Sequence, residues 1–165
     1  MIGTTRRLGA VAAVVAAMVL TCAPGVAGQK TPARVNDPPA VAYRKAVMDG
    51  LVAHLIALRV LLANDLGYPG DVRKHSAALL ANAMMLDGIF APGSTGGTSK
   101  AREDIWANSA EFKAHLKSFQ DAVRMVDQDV GKDSGATVIV PHIQMVVQEC
   151  GGCHSEFKLT APLPF

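Results

Sequence analysis

The sequence predicts an all-α fold, an antiparallel four-helix bundle that occupies residues 40–165. Four segments of this region carry apolar residues at alternating spacings of three and four, the spacing of one face of an α-helix. The alternation with a period of two that predicts strands never extends beyond a few residues. The segments are long and their connections are short, and short connections favour antiparallel neighbours.

The first 28 residues are predicted to be a secretory signal peptide that is removed from the mature chain. Arg6 and Arg7 form its positive start, and an apolar run over residues 8–20 follows them. The run is short and rich in alanine, so an uncleaved membrane anchor is the less favoured alternative. A lipid anchor on Cys22 is also less favoured, because the residue before it is a poor one for lipoprotein processing.

The predicted mature chain carries no net formal charge. The two arginines of the signal peptide are its only charged residues, so 14 of the 16 basic residues remain, against 14 acidic ones. This balance gives no electrostatic reason to expect a nucleic acid or an anionic membrane as a partner. Residues 29–39 form a polar, proline-rich lead, and the rest is long enough for one domain with one core.

The first two helices are predicted at about residues 40–63 and 71–90. The first follows Asp37-Pro38-Pro39 and ends where residues 64–70 break the pattern. The second opens at Asp71, a favourable N-cap, and ends before Pro92. The predicted core-facing residues are Met48, Leu51, Leu55, Leu58 and Leu62 on the first helix, and Val72, Ser76, Leu79, Ala83, Leu86 and Phe90 on the second.

The third helix is predicted at about residues 101–130, and the fourth begins near Pro141. Proline is acceptable in a first helical turn, whereas the preceding run of β-branched residues at 138–140 favours extended structure. The predicted core-facing residues are Ile105, Ser109, Phe112, Leu116, Phe119, Val123, Val126 and Val130 on the third helix, and Ile143, Val147, Cys150, His154 and Phe157 on the fourth.

The fourth helix carries the pentapeptide Cys150-Gly151-Gly152-Cys153-His154, the C-x-x-C-H pattern of covalent haem attachment. On a helix, Cys150, Cys153 and His154 project from one face. Two thiols can add to the two vinyl groups of one porphyrin, and the imidazole can then ligate the iron. A zinc site would need further ligands at matching spacing, and a thioredoxin-type disulfide would need a preceding strand, so both are less favoured. We therefore predict one haem c.

Three further stretches resemble the class II cytochromes c, the family that includes cytochrome c′. They are Tyr43-Arg44-Lys45-Ala46-Val47-Met48, Phe90-Ala91-Pro92-Gly93-Ser94-Thr95-Gly96-Gly97 and Ile105-Trp106, and they precede a haem motif near the carboxyl end. The resemblance covers nearly all of residues 40–160. It implies that His154 is the proximal ligand and that the first helix supplies the distal face, with Met48 at the position over the iron.

Two behaviours known in this family compete for Met48. In one, its thioether ligates the iron and the protein carries electrons, which is the favoured interpretation. In the other, Met48 only covers a five-coordinate iron that binds NO or CO. A methionine on an apolar seam can also be simple core filler.

Two charged residues are predicted to lie near the haem. Arg44, one turn before Met48, can make paired hydrogen bonds to a haem propionate, and its alternative is a solvated surface position. Lys158 stands where many cytochromes c′ carry an arginine, and its ammonium group is a point charge that lacks the planar, paired donors of a guanidinium. A second axial histidine is less favoured, with His54 the nearest candidate.

We predict a periplasmic cytochrome that passes single electrons between redox partner proteins, with NO or CO binding as the alternative. Enzymatic turnover is not expected, because the first helix offers mostly aliphatic side chains around Met48 and no distal acid–base pair. The resemblance also makes a homodimer plausible.

Overall fold

The computed structural model describes residues 37–64 and 66–159, which form a bundle of four long helices. These are α1 (Pro39–Asn64), α2 (Pro69–Met85), α4 (Ser109–Gly131) and α5 (Ala136–Phe157), with a 3₁₀ turn (Leu86–Gly88) and the one-turn helix α3 (Asp104–Ala107) between α2 and α4. Among the described residues, β-type pairing is limited to one antiparallel bridge, between Ala101 and Lys158. The predicted all-α bundle is confirmed. The predicted signal peptide and most of the proline-rich lead lie outside the described residues.

Neighbouring helices run in opposite directions, as contacts along their interfaces show. On α1 and α2, Tyr43 contacts Met85, and eleven residues further along α1, His54 contacts His75. The residue number of the contact on α2 falls as the residue number on α1 rises, so the two helices are antiparallel. The same reversal relates α2 to α4 through Ser76 with Asp127 and Ala83 with Gln120, and α4 to α5 through Asp129 with His142 and His115 with Phe157.

The hydrophobic core runs along the bundle between the four helices. Nearly all the predicted seam residues are buried or half-buried, and side chains of this kind contribute about 1.5–3 kcal/mol each when fully buried. The largest fully buried apolar side chains are Leu58, Leu79, Val41, Val123, Val126, Ile143 and Val146.

The predicted third helix is divided in two. Asn108, with φ −109° and ψ 47°, leaves the helical region and separates α3 from α4. The break changes the helical phase, and Ser109, predicted to face the core, is exposed. Ile105, which precedes the break on α3, is buried as predicted.

The starts of α2 and α5 also differ from the prediction. Asp71 is not the N-cap of α2, because Pro69 opens that helix and Asp71 lies in its first turn, paired with Lys74 at 2.9 Å. Proline suits a first turn since its fixed φ is helical and its missing N–H would have no partner there. The last helix begins at Ala136, so the β-branched run joins it, and Pro141 lies inside the helix with its ring exposed.

Helix α1 is apolar beyond what the core requires. It is long and apolar enough to cross a membrane, yet only 22% of its most apolar stretch is buried in the bundle. Ile56 and Val60, which are one turn apart, are each about half exposed. An apolar surface of this kind on a bundle helix marks a candidate contact surface.

Candidate haem site

A cavity of about 300 Å³ lies at one end of the bundle, between α1, α4, α5 and the connection formed by residues 89–101. All five residues predicted to bind the cofactor line it, from α1 on one side and α5 on the other. The lining residues are Arg44, Lys45, Met48, Asp49, Leu51, Val52, Leu86, Phe90, Thr98, Lys100, Ala101, Ile105, Phe112, His115, Leu116, Phe119, Glu149, Cys150, Cys153, His154, Phe157 and Lys158.

Cys150 and Cys153 present two free thiols to this cavity from the penultimate turn of α5. Both side chains are half-buried and pack against the hydrophobic core. Burial is the main cause that raises the pKa of Cys150 to about 12 and that of Cys153 to about 11. The two sulfurs are therefore thiols at neutral pH, separated by one helical turn and directed to the same space.

His154 presents an imidazole whose chemistry fits an iron ligand. Its Nδ1 atom is buried and has no hydrogen-bond partner among the described residues. Burial, followed by the positive charge of Lys158, lowers the pKa of His154 to about 4. The ring is therefore neutral at physiological pH and keeps a lone pair, which metal coordination requires. An unpartnered buried nitrogen beside two thiols and an apolar cavity fits covalent haem.

Met48 lines the cavity from α1, facing the elements that carry the cysteines. Its side chain is half-buried and packs against the core cluster. It is the only methionine that lines the cavity within residues 37–64 and 66–159, while Met84 and Met125 pack elsewhere against the core. The structure thus places one thioether in the lining of the cavity that His154 also lines.

Arg44 is buried in the cavity wall, with 5% of its surface exposed. Its guanidinium donates to the side-chain oxygen of Ser94 at 2.8 Å, to the carbonyl oxygen of Ser94 at 2.9 Å and to the hydroxyl of Ser99 at 3.0 Å, and a longer bond reaches the carbonyl of Ile89. It also lies over the ring of Phe90, 5.1 Å from its centre. Arg44 therefore holds the 89–101 connection against α1, a role that was not predicted. Its paired bonds to a propionate stay a prediction.

The 89–101 connection is fixed at two further points. The indole nitrogen of Trp106 donates to the carbonyl of Phe90 at 3.1 Å, so Trp106 supports the cavity wall from outside. Asp37 accepts from the backbone N–H of Thr98 at 2.6 Å and from the Thr98 hydroxyl, and it pairs with Lys45 at 3.0 Å. These bonds are the main cause that lowers the pKa of Asp37 to about 2.

One histidine of the site was missed by the sequence reasoning. His115 of α4 lines the cavity, its ring packs edge-on against Phe157, and its Nε2 lies 3.3 Å from a carboxylate oxygen of Glu156. Its place one residue before Leu116 on the clean α4 seam was the available signal.

The other histidines are engaged away from the cavity. His54, the nearest candidate for a second axial ligand, faces His75 of α2 and does not line the cavity. His142 contacts the buried Asp129 at the other end of α5. Ligation of the iron by His54 is therefore not supported by the structure.

Lys158 closes the carboxyl end of α5. Its backbone N–H still donates to the carbonyl of His154, and its own conformation is extended, so it pairs with Ala101 in the isolated bridge. This bridge attaches the end of the haem-binding helix to the 89–101 connection. Lys158 also lines the cavity, and its positive charge acts on His154.

A four-helix bundle with a C-x-x-C-H motif on its last helix, two thiols and a neutral imidazole at one apolar cavity defines a class II c-type cytochrome. The family model described as cytochrome c′ matches residues 39–158, and the chain belongs to this family. The family binds covalent haem c, and Cys150 and Cys153 are the two thiols present for its attachment.

Known members of the family resemble the chain over most of their length. Cytochrome c′ of Rhodospirillum rubrum is 28% identical over 143 residues, which cover 86% of this chain and 97% of the relative. Cytochrome c′ of Pararhodospirillum photometricum is 27% identical over 120 residues, covering 72% and 94%. The chain is thus similar to whole relatives and not to a fragment of them.

Solved structures of the same family share the fold. A ferrous arginine-to-lysine variant of cytochrome c prime from Alcaligenes xylosoxidans with bound NO superposes with a TM-score of 0.67 at 21% identity, covering 73% of this chain and 94% of that one. Cytochrome c′ from Rubrivivax gelatinosus gives a TM-score of 0.66 at 22% identity, covering 72% and 94%.

Proposed function

We propose that this protein binds a small neutral gas, NO or CO, at a five-coordinate haem c, with His154 as the protein ligand and Met48 as a cover on the opposite side. The observation that carries the proposal is the environment of Met48. Its side chain packs against the same core cluster as the neighbouring Leu51 and Leu55, and therefore behaves as part of an apolar wall. Neutral diatomic molecules enter apolar cavities at little desolvation cost, whereas charged ligands do not.

Family resemblance supports this choice over the electron carrier that the sequence favoured. Solved cytochrome c prime structures from Alcaligenes xylosoxidans carry NO in several cases and CO in another. The haem would supply the iron at which the gas binds. The chain would supply the neutral imidazole of His154, the apolar wall around Met48 and a connection held in place by Arg44. We propose binding without turnover, since His54 of α1 pairs with His75 away from the cavity, so α1 presents no imidazole beside Met48 for acid–base work on a bound ligand.

The electron carrier is the second candidate, and one observation favours it. Met48 is the only thioether at the cavity within the described residues, and it has three rotatable bonds with which to reach an iron. A thioether ligand raises the reduction potential and suits outer-sphere transfer to redox partner proteins.

Absorption spectra of the haem-loaded protein distinguish the two functions. We expect a broad high-spin spectrum in the reduced protein, a shift when CO is added, and a nearly unchanged spectrum in Met48→Leu. Met48→Ala should raise the affinity for CO because it removes part of the cover. Met125→Leu, which alters a methionine away from the cavity, is the matched control.

The carrier makes the opposite predictions. It requires sharp, split visible bands in the reduced protein and a ferric absorption band that is typical of sulfur ligation. Met48→Leu would abolish that band while Met125→Leu would keep it. This result would overturn gas binding as the main function.

We also propose that the chain is exported to the periplasm and that it forms a homodimer. The basic and apolar start of the sequence supports export, and amino-terminal sequencing of the mature protein from a periplasmic fraction tests it. The half-exposed Ile56 and Val60, one turn apart on α1, support a partner copy at that helix. Light scattering of the parent and of Ile56→Glu tests the dimer, which the glutamate should dissociate.

A further inference from the structure

Two histidines form a close pair at the α1–α2 interface, outside the haem cavity. The Nδ1 atoms of His54 and His75 are 3.0 Å apart, and the ring centres are separated by 5.2 Å with the planes inclined at 51°. Both side chains are half-buried, so solvent can reach the pair. Neither residue takes part in the haem site.

The two Nδ1 atoms of the pair share one proton across a short gap. At 3.0 Å one Nδ1 donates its proton to the other, because two facing lone pairs would repel and two facing N–H groups would clash. Burial, and then the charge of His75, lowers the pKa of His54, which disfavours a doubly protonated pair. The bridging proton is thus the one atom that a cation would have to displace.

The separation of the two nitrogens matches two neighbouring positions around one metal ion. Imidazole nitrogens lie roughly 2.0–2.1 Å from a bound transition metal. Two such ligands are then about 2.9 Å apart at a right angle and about 3.3 Å apart at a tetrahedral angle. The observed 3.0 Å lies between these values and closer to the right angle that Cu(II) and Ni(II) prefer.

Helix packing fixes this separation. One turn before His54, Gly50 lies so close to α2 that a Cβ there would meet the side chain of Asn82. Glycine at this position leaves room for the Asn82 side chain, so α1 and α2 can pack together one turn from the histidine pair. A site that is preformed by two rigid helices loses little entropy when a ligand binds.

The remaining coordination positions must be filled by water. No group of three or more His, Cys, Asp or Glu side chains that could hold a metal occurs within residues 37–64 and 66–159. The nearest carboxylate in the sequence is Asp71, one turn before His75 on α2, and it is paired with Lys74. Asp71 adds negative charge to the neighbourhood without completing the ligand set.

We propose that His54 and His75 form a two-histidine chelating site for a divalent transition metal, with Cu(II) bound most tightly. Both ligands are Nδ1 atoms, and water completes the coordination. Copper is favoured because its affinity for imidazole exceeds that of Ni(II) and Zn(II), and because its square geometry suits two ligands at a right angle.

Titration of the ferric, haem-loaded protein with Cu(II) tests the site. We expect one site per chain by calorimetry, and a copper electron paramagnetic resonance difference spectrum with splitting from two nitrogens. Each of His54→Gln and His75→Gln should weaken copper binding about tenfold or more, because a chelate becomes a single ligand. The matched control is His142→Gln, since His142 is a half-buried histidine in a pair with a carboxylate.

A second measurement uses the unaltered protein. Bound Cu(II) or Zn(II) should protect His54 and His75, and not His142, from acylation by diethyl pyrocarbonate, as mapped by mass spectrometry. Copper that binds equally to the parent and to both variants, splitting from a single nitrogen, or an absence of protection would each overturn the proposal.

Discussion

Replacement of Arg44 by methionine should lower the free energy of unfolding of the haem-loaded protein by about 3 kcal/mol. The methionine keeps most of the apolar stem of Arg44 and removes the guanidinium. Three short hydrogen bonds to Ser94 and Ser99 are lost, and Ser94 is itself buried. Bonds from a charged donor contribute about 1.5–3 kcal/mol each, so the gross loss is about 6 kcal/mol.

The net loss is smaller, because Arg44 is a costly group to bury. No salt bridge joins it to a carboxylate within the described residues, and burial lowers its pKa. Desolvation of an ion costs several kcal/mol, and the neutral variant avoids that cost, which offsets about half of the gross loss. The remaining 3 kcal/mol corresponds to a fall of about 10 °C in Tm for a domain of this size.

Urea unfolding followed by circular dichroism measures this change, with Arg59→Met as the control. Arg59 lies on the same helix and is exposed, so its replacement should alter stability by less than about 0.5 kcal/mol. Arg44→Lys should recover only part of the lost stability, because a single ammonium group cannot bond to both serines as the planar guanidinium does. An Arg44→Met variant within about 1 kcal/mol of the parent would refute the reasoning.

Three further predictions concern the core and the 89–101 connection. Leu58→Ala should cost about 2–5 kcal/mol in urea unfolding, whereas alanine at the half-exposed Ile56 should cost little; equal losses would contradict the assigned core. Gly97→Ala should lower the free energy of unfolding by about 1–3 kcal/mol, which is more than the loss expected for Gly93→Ala. Both glycines have positive φ, but only at Gly97 would an added Cβ meet Asp37. A larger loss for Gly93→Ala would be inconsistent with that contact. Asp37→Asn should lower the stability of the fold most above about pH 4 and least near pH 2. The pKa of Asp37 is lowered in the folded protein, so the ionised carboxylate stabilises the fold above its unfolded pKa and loses this effect as the pH falls to about 2. A difference in urea midpoint between variant and parent that stays constant from about pH 6 to about pH 2 would exclude this linkage.

The helices were predictable because each buries one face, and periodicity reports that face directly. Their ends were less predictable, since ends depend on contacts that periodicity does not report. Pro69 opens α2 ahead of the better capping residue Asp71. The β-branched run at 138–140 is helical because Ile139 is buried in the core, and this packing overrides its local preference for extended structure.

The residues of the haem site also differ in how far the sequence alone could predict them. The thiols and His154 lie within five residues, so local helical spacing alone brings them together. Arg44 meets Ser94 and Ser99 across 50 and 55 residues of sequence, and only the folded bundle reveals that its donors hold a loop. His115 is similar, because its approach to the haem motif depends on how α4 packs against α5.

The backbone of α1 near Met48 is fixed from two directions. Arg44, one turn before it, is bonded to the 89–101 connection, and Leu51, one turn after it, is buried in the core. The backbone of α1 therefore has little freedom to approach or leave α5, whereas the side chain of Met48 can still change conformation about its three rotatable bonds. The two functions proposed for this chain, gas binding and electron transfer, would then differ by the conformation of this one side chain on an otherwise unchanged bundle. A substitution of Met48 should consequently change access to the iron without a measurable change in fold, whereas a substitution of Arg44 should change stability first.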